Sequence, residues 1–422
     1  MITKTLIINE SLKNDLFLIP IENNRSLVYS PLRRKVFCVD EMASRYVQRF
    51  ILGSKIEFNT VGLAPLYDHL SELIVTPPAL PIDNNELYGK SLSIILSQIC
   101  NMECTYCYAQ KSHSSDIISL EKIKVCVDYF HNKNHKGLER IVFIGGGEPM
   151  MTWPLLRDSI LFIRQNYNIP CSVITNGSII SDEQCVFFVD NNVRVIVSFD
   201  ILPEIQDSQR PIKGFKSHGI VSKNIDYLLT KGDICKGFRS TITELNVDKM
   251  EDMVREVARR YPSIKSLNLE PVSKHNIPST FYDSFINHFI TAQTIGKMYG
   301  INVYCSISLS MHSLKKRFCQ REICLTPSSR LVSCHRNSSP NDDFFDYFKI
   351  GEVSGTDVDV VNYDSMSDNK KWQSRCEKCF AKWHCAGGCV ATRLMLTKNE
   401  NIERCTFVKS LTAKLLYNII DT

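Results

Sequence analysis

The chain has 422 residues, long enough for two or three domains that each bury a core. Its 44% hydrophobic and 23% charged residues are ordinary for a soluble globular protein. The excess of 50 basic over 45 acidic residues leaves a net charge of +5, too slight to argue for a nucleic-acid or membrane partner. No apolar run approaches the ~20 residues that span a bilayer. The start, Met1-Ile2-Thr3-Lys4-Thr5, meets Asn9-Glu10 too soon for a signal segment, so a cytoplasmic location is expected. There, 17 cysteines do not form a disulfide framework, because the compartment keeps thiols reduced.

Residues 1–88 are expected to form a small α+β module. Short β-rich runs at Leu16–Ile21, Ser26–Tyr29 and Lys35–Val39 are separated by the turns Glu22-Asn23-Asn24 and Ser30-Pro31-Leu32. Helical patterns follow at Glu41–Leu52 and Leu63–Ile74, and Pro77-Pro78 with Pro81 mark a linker. The basic runs Arg33-Arg34-Lys35 and Lys315-Lys316-Arg317 read as solvated faces. The order of strands then helices resembles the peptide-recognition element fused to many ribosomal-peptide maturases, in which a leader peptide adds a strand to a sheet edge. The alternative is a capping domain with no ligand.

Residues 90–310 alternate strands and helices. Strands are expected at Leu92–Leu96, Arg140–Ile144, Ser172–Thr175, Arg194–Ser198, Phe238–Ile242 and Ser266–Leu269. Helices are expected near 120–133, 154–166, 181–190, 220–230, 248–260 and 280–298. Such alternation implies a parallel sheet with right-handed crossovers and a ligand site at the carboxyl ends of the strands. The first strand runs into Cys100-Asn101-Met102-Glu103-Cys104-Thr105-Tyr106-Cys107, a C-x3-C-x2-C loop. Three thiolates are one too few to close a cubane iron–sulfur cluster, which leaves one iron open for chemistry. A zinc knuckle is the alternative, though zinc favours paired C-x2-C units. The second strand ends in Gly145-Gly146-Gly147-Glu148-Pro149, where glycines let the backbone approach a ligand and Glu148 can accept from an ammonium group.

Eight cysteines fall between 319 and 405. Cys319, Cys324 and Cys334 precede the run Cys376-x2-Cys379-x5-Cys385-x3-Cys389, and Cys405 follows it. A zinc ribbon is the alternative here, since iron and zinc share thiolate ligands. The remaining six, Cys38, Cys126, Cys171, Cys185, Cys235 and Cys305, sit among apolar neighbours and read as small core residues. Asn337–Asp343 reads as a polar loop.

The three-cysteine loop with an aromatic before its last thiol, followed by the Gly-Gly-Glu strand end, resembles the radical S-adenosylmethionine (SAM) family. The later cysteines resemble its SPASM extension. The resemblance implies a partial (β/α)6 barrel at 90–310, between the module at 1–88 and a cysteine-rich iron–sulfur domain at 311–422. It implies that Cys100, Cys104 and Cys107 hold the catalytic 4Fe–4S cluster. SAM would be held at the open iron, where one electron cleaves it to a 5′-deoxyadenosyl radical. Gly146, Gly147, Glu148, Asn176, Ser198 and Arg210 would contact SAM, and Tyr106 would pack near the adenine. Two auxiliary 4Fe–4S clusters would be ligated by Cys319, Cys324, Cys334 and Cys389, and by Cys376, Cys379, Cys385 and Cys405. Arg239, Thr241 and Glu270, on or just after the last two strands, are further candidates. Trp383 and His384 are expected to pack against a cluster. Ser329 stands where the family has a glycine, which is expected to change a turn and no ligand.

The implied function is maturation of a ribosomally made peptide or a protein substrate, with an electron donor such as flavodoxin or ferredoxin. Sulfatase-maturing relatives carry an aspartate directly after the third SPASM cysteine. Here that place is His335, either a base in its own right or support for a cluster. An anaerobic sulfatase-maturating enzyme and a non-catalytic metal-binding peptide adaptor are the rival readings.

Overall fold

The computed structural model describes residues 4–58, 61–82, 90–133, 137–319, 322–360 and 374–420. The boundary expected at residues 88–90 falls largely outside them. Near the N-terminus, β1 (Lys4–Leu6) pairs with β5 (Ile56–Phe58), two strands too short to show in the sequence pattern. Between them, β2 (Phe17–Pro20), β3 (Ser26–Ser30) and β4 (Lys35–Val39) form an antiparallel meander in the order β2-β3-β4. The tight turn before β3 places Asn23 and Asn24 at φ of 60° and 54°, a region asparagine tolerates well. Helix Glu41–Ile51 starts where the Asp40 side chain accepts from the Ala43 amide at 2.7 Å, and it buries Val47 and Phe50. Arg33 departs from the expected solvated face. It is buried and pairs with the equally buried Asp15 at 3.1 Å, while its Nε donates to the Leu73 carbonyl at 2.8 Å. The sequence pattern hid this because an ion pair buries a charge that a run of basic residues would otherwise leave in water.

The central sheet opens with β6 (Ser91–Ile94), β7 (Arg140–Phe143), β8 (Cys171–Thr175), β9 (Arg194–Ser198), β10 (Cys235–Ile242) and β11 (Ser266–Pro271), each parallel to the next. These are the six expected strands. A seventh, β12 (Asn302–Tyr304), adds in parallel beyond β11. The crossover helices lie where the 3.6-residue pattern puts them, among them Leu120–Lys133, Trp153–Asn166 and Ser279–Met298. Phe143, Val173, Val195, Phe238 and Leu267 are fully buried in one continuous core between sheet and helices.

The cysteine-rich segment continues this sheet. β13 (Ile323–Leu325) pairs in parallel with β6, matching Cys324 to Ser93. The antiparallel strands β14 (Arg330–Val332), β15 (Lys349–Ser354) and β16 (Asp357–Val360) complete an 11-stranded sheet. In the turn into β14, Ser329, at the place where the resemblance expects a glycine, adopts φ of 60°. The last helix, Lys398–Ile420, stacks Phe407 on Tyr282 at 4.6 Å, and its Leu416 joins Ile19, Leu27 and Tyr29 of the N-terminal module. Among the described residues no helix is long and apolar enough to cross a membrane.

Candidate active site

Because β6 to β12 are parallel, their carboxyl ends lie along one side of the sheet, where dipoles and loops build ligand sites. A cavity of about 320 Å³ opens there. Cys100, Cys104, Cys107 and Tyr106 line it, as do Gly146, Gly147, Glu148, Asn176, Ser198 and Arg210. Arg239, Thr241 and Glu270 line it too. Residues from five strand ends and the cysteine loop thus meet in one space.

The loop is clamped on both sides by backbone hydrogen bonds. The amides of Glu103 and Thr105 donate to the carbonyls of Pro211 and Gln209, each at 2.9 Å. The amides of Gly147 and Glu148 donate to the Ser97 and Ile99 carbonyls at 3.1 and 2.8 Å. The glycines serve this clamp directly. A Cβ on Gly147 would stand 2.0 Å from the Ile99 oxygen, and one on Gly146 the same 2.0 Å from Gln98 Oε1. At Gly147 the rigid Ile99 backbone requires glycine, whereas at Gly146 the neighbour is the end of the Gln98 side chain. Asn337–Asp343 is more than a polar loop: Ser338 Oγ accepts from Gln98 Nε2 at 3.2 Å, and Asp342 accepts from Ser112.

Glu148 is buried and largely satisfied. Oε1 accepts from the Thr175 hydroxyl at 2.6 Å and the Met150 amide at 3.1 Å, and Oε2 from the Asn176 amide at 2.7 Å. Burial raises its pKa above the usual carboxylate value, with those donors and Arg210 working against the rise. The Asn176 side chain is committed as well, donating to Asn101 Oδ1 at 2.9 Å and accepting from Ser178.

Asp200, in the Ser198-Phe199-Asp200 run that closes β9, is a hub whose donors come from several elements. Its Oδ2 accepts from the Tyr106 hydroxyl at 2.7 Å and Gln209 Nε2 at 2.9 Å. Its Oδ1 accepts from Ser240 Oγ at 2.8 Å and the Thr241 amide at 3.1 Å. Arg210 Nη1 in turn donates to the Tyr106 oxygen at 2.7 Å. Burial opposes the Arg210 charge, but Tyr106, Cys104 and Asp200 around it hold its pKa well above the ordinary value. The next residue, Ile201, sits at φ of 67°, a rare conformation for a β-branched side chain, and its carbonyl accepts from His218 at 3.1 Å.

The three loop thiols are free of disulfides. Burial pushes Cys100 up to about 11, helped by Glu148 and the two neighbouring thiols, and burial also raises Cys104 and Cys107. Thiolates crowded in a dry site need a strongly positive partner, which an iron cluster supplies. Arg210 Nε is buried with no hydrogen-bond partner, a donor facing an anion-binding role. The residues therefore fit a cluster and SAM.

The eight later cysteines fall into two groups. Cys319 hydrogen-bonds Cys389, which together with burial holds the Cys319 thiol well above its ordinary value, and Cys334 adds to it. Cys324 is raised by burial, with Glu322 and Cys334 nearby. Burial pushes Cys385 up to about 11, with Cys376, Cys405 and Cys379 adjoining it and Arg393 opposing. The SPASM resemblance expects ligand sets of Cys319, Cys324, Cys334 and Cys389, and of Cys376, Cys379, Cys385 and Cys405. Among the described residues no three acidic, His or Cys side chains converge tightly enough for a single metal ion. His384 has both ring nitrogens engaged, by the Tyr29 hydroxyl at 2.5 Å and by the carbonyls of Ser310 and Ser313. His335 pairs through Nδ1 with Glu322 Oε2 at 2.8 Å, and its ring meets Tyr108 edge-on. The Glu322 partnership, 13 residues away, left no mark in the sequence.

Residues 94–257 match the model of the Radical SAM superfamily. Residues 94–257 thus carry a radical SAM domain, whose family implies a 4Fe–4S cluster and SAM. A cysteine-type anaerobic sulfatase-maturating enzyme of Clostridium novyi is 29% identical over 134 residues, 29% of this chain and 36% of the relative. The chain spans between 36% and 65% of the length of the curated relatives it matches. Among solved structures, anSMEcpe with bound AdoMet and Cp18Cys peptide shares the fold at a TM-score of 0.61, 17% identity, and coverage of 78% of this chain and 99% of that one. Streptococcus suis SuiB bound to precursor peptide SuiA does so at 0.54 and 11%, covering 92% of this chain and 97% of that one.

Proposed function

We propose that the chain is a radical SAM maturase that modifies a ribosomally made peptide. The reading rests chiefly on one cavity that gathers three loop thiols, the Gly-Gly-Glu turn and Arg210 at the carboxyl ends of the strands. In this reading Cys100, Cys104 and Cys107 hold the catalytic cluster, while Glu148, Ser198 and Arg210 with the glycine backbone hold SAM. When bound, that pair supplies a carbon radical able to take hydrogen from an unactivated carbon. The protein's own part is to fix the loop against Gly147 and Pro211, to neutralise charge with Arg210, and to keep water from the reacting carbon. Two auxiliary clusters on the remaining eight thiols would carry the surplus electron outward, and three cubanes predict about 12 irons per chain. Peptide substrates are supported by the precursor peptide bound to SuiB and the peptide bound to anSMEcpe.

Sequencing the neighbouring reading frames and coexpressing the chain with any short precursor found there tests the reading. The peptide should lose two hydrogens in a Cys104-dependent manner, and an unaltered peptide would count against it. The sulfatase-maturating reading is supported by the resemblance to the cysteine-type enzyme of Clostridium novyi and to a serine-type enzyme of Bacteroides thetaiotaomicron. Formylglycine produced from a Cys- or Ser-containing sulfatase peptide would favour it instead.

A further inference from the structure

The charged groups lining the cavity are nearly all answered from within the protein. Glu148 has three donors, and Glu270 accepts from the Ser306 amide at 2.7 Å and its hydroxyl at 2.5 Å. Arg210 is held by Tyr106, and Arg336 donates to the Thr392 hydroxyl at 3.0 Å while lying over the Tyr108 ring. Arg239 differs. It lines the same cavity, is exposed, and makes no side-chain hydrogen bond or ion pair among the described residues.

Its position is set by the sheet. Arg239 lies on β10 in register with Ser198 of β9 and Asn268 of β11, so three polar side chains form one rung across adjacent strands about 4.8 Å apart. A guanidinium beside a hydroxyl and an amide is a fork that a carboxylate can fill with two parallel hydrogen bonds. In the free protein, water solvates Arg239. A substrate entering the cavity displaces that water, and the stranded charge then penalises any group that cannot compensate it.

We propose that Arg239 is a specificity-determining residue that receives the side-chain carboxylate of an Asp or Glu in the peptide substrate. The proposal rests on the maturase reading above. The same carboxylate chemistry could come from the methionyl end of SAM, but Arg210, with its buried and unpartnered Nε beside the cysteine loop, is the better placed group for that anion.

The test uses the full chain, anaerobically reconstituted, with SAM and a synthetic library of short N-acetylated, C-amidated peptides. The wild type should retain Asp- or Glu-containing peptides about tenfold better than their Asn or Gln counterparts. Arg239→Gln should abolish that preference, and Arg239→Glu should turn it toward Lys and Arg. SAM binding by equilibrium dialysis should stay within about twofold of wild type in both variants. A wild type without acidic preference would overturn the proposal. So would loss of SAM binding in Arg239→Gln, which would assign the residue to the SAM carboxylate. Release of 5′-deoxyadenosine by the wild type is measured in parallel. Its presence without acidic preference counts against Arg239 alone, whereas its absence overturns the maturase reading and the proposal together.

Discussion

Replacing Asp200 with Asn is the most informative single change in the barrel. The carboxylate collects four donors, from Tyr106, Gln209, Ser240 and the Thr241 amide, and it is fully buried. Asparagine keeps the shape but offers one acceptor oxygen. If that oxygen serves Ser240 and Thr241, its amide group meets the donors of Tyr106 and Gln209. Gln209 cannot simply turn over, because its Oε1 already accepts from Thr243. One or two buried donors are left unsatisfied at about 1–3 kcal/mol each, and Arg210 loses a nearby negative charge. A total near 3 kcal/mol is the expected cost. With an unfolding entropy of ~2.1 cal/mol/K per residue over 422 residues, that lowers Tm by about 3 °C. Because Tyr106 and Arg210 both hang on this carboxylate, SAM affinity should fall at least tenfold by equilibrium dialysis. An Asp200→Asn protein with unchanged Tm and unchanged SAM affinity would refute the hub.

Gly147→Ala should unseat the cysteine loop, since its Cβ would lie 2.0 Å from the Ile99 oxygen. After reconstitution the iron content should drop from about 12 to about 8 per chain while the auxiliary sites still load. Ser329→Gly should stabilise the chain by about 0.5–1 kcal/mol, because glycine enters the left-handed region without steric penalty; a thermal melt reads the sign. Glu400 supplies the pH dependence. The amides of Asn276 and Thr397, with the Thr397 hydroxyl and His275, hold its carboxyl down at about 2, below the unfolded value of 4.5. A depressed folded value means that its contribution is fully present above pH 4.5 and is lost as pH falls toward 2. The difference in urea midpoint between wild type and Glu400→Gln should therefore be constant near neutrality and shrink on acidification.

Much of the barrel was legible because its strands and helices are long enough to show their periods. Helix Leu120–Lys133 lies where the apolar spacing puts it, and β9 ends at Ser198 as expected. The loop thiols and the Gly-Gly-Glu turn were legible as spacing alone. What escaped notice was short or non-local. β12 and β13 have three residues each, too few for a pattern, yet β13 joins the cysteine-rich segment to the barrel through β6. The burial of Arg33 depends on Asp15, 18 positions away, and the Asp200 hub draws on donors from as far as Tyr106. The close fit of Gly147 to Ile99 is likewise a tertiary contact that no run of residues announces.

The central claim is that the Cys100, Cys104 and Cys107 loop holds a cluster which presents SAM for reductive cleavage. Anaerobically reconstituted chain, mixed with SAM and strong reductant, should release 5′-deoxyadenosine and methionine, and Cys104→Ala should release neither. Intact SAM with the wild-type chain, or equal cleavage by the variant, would contradict the account.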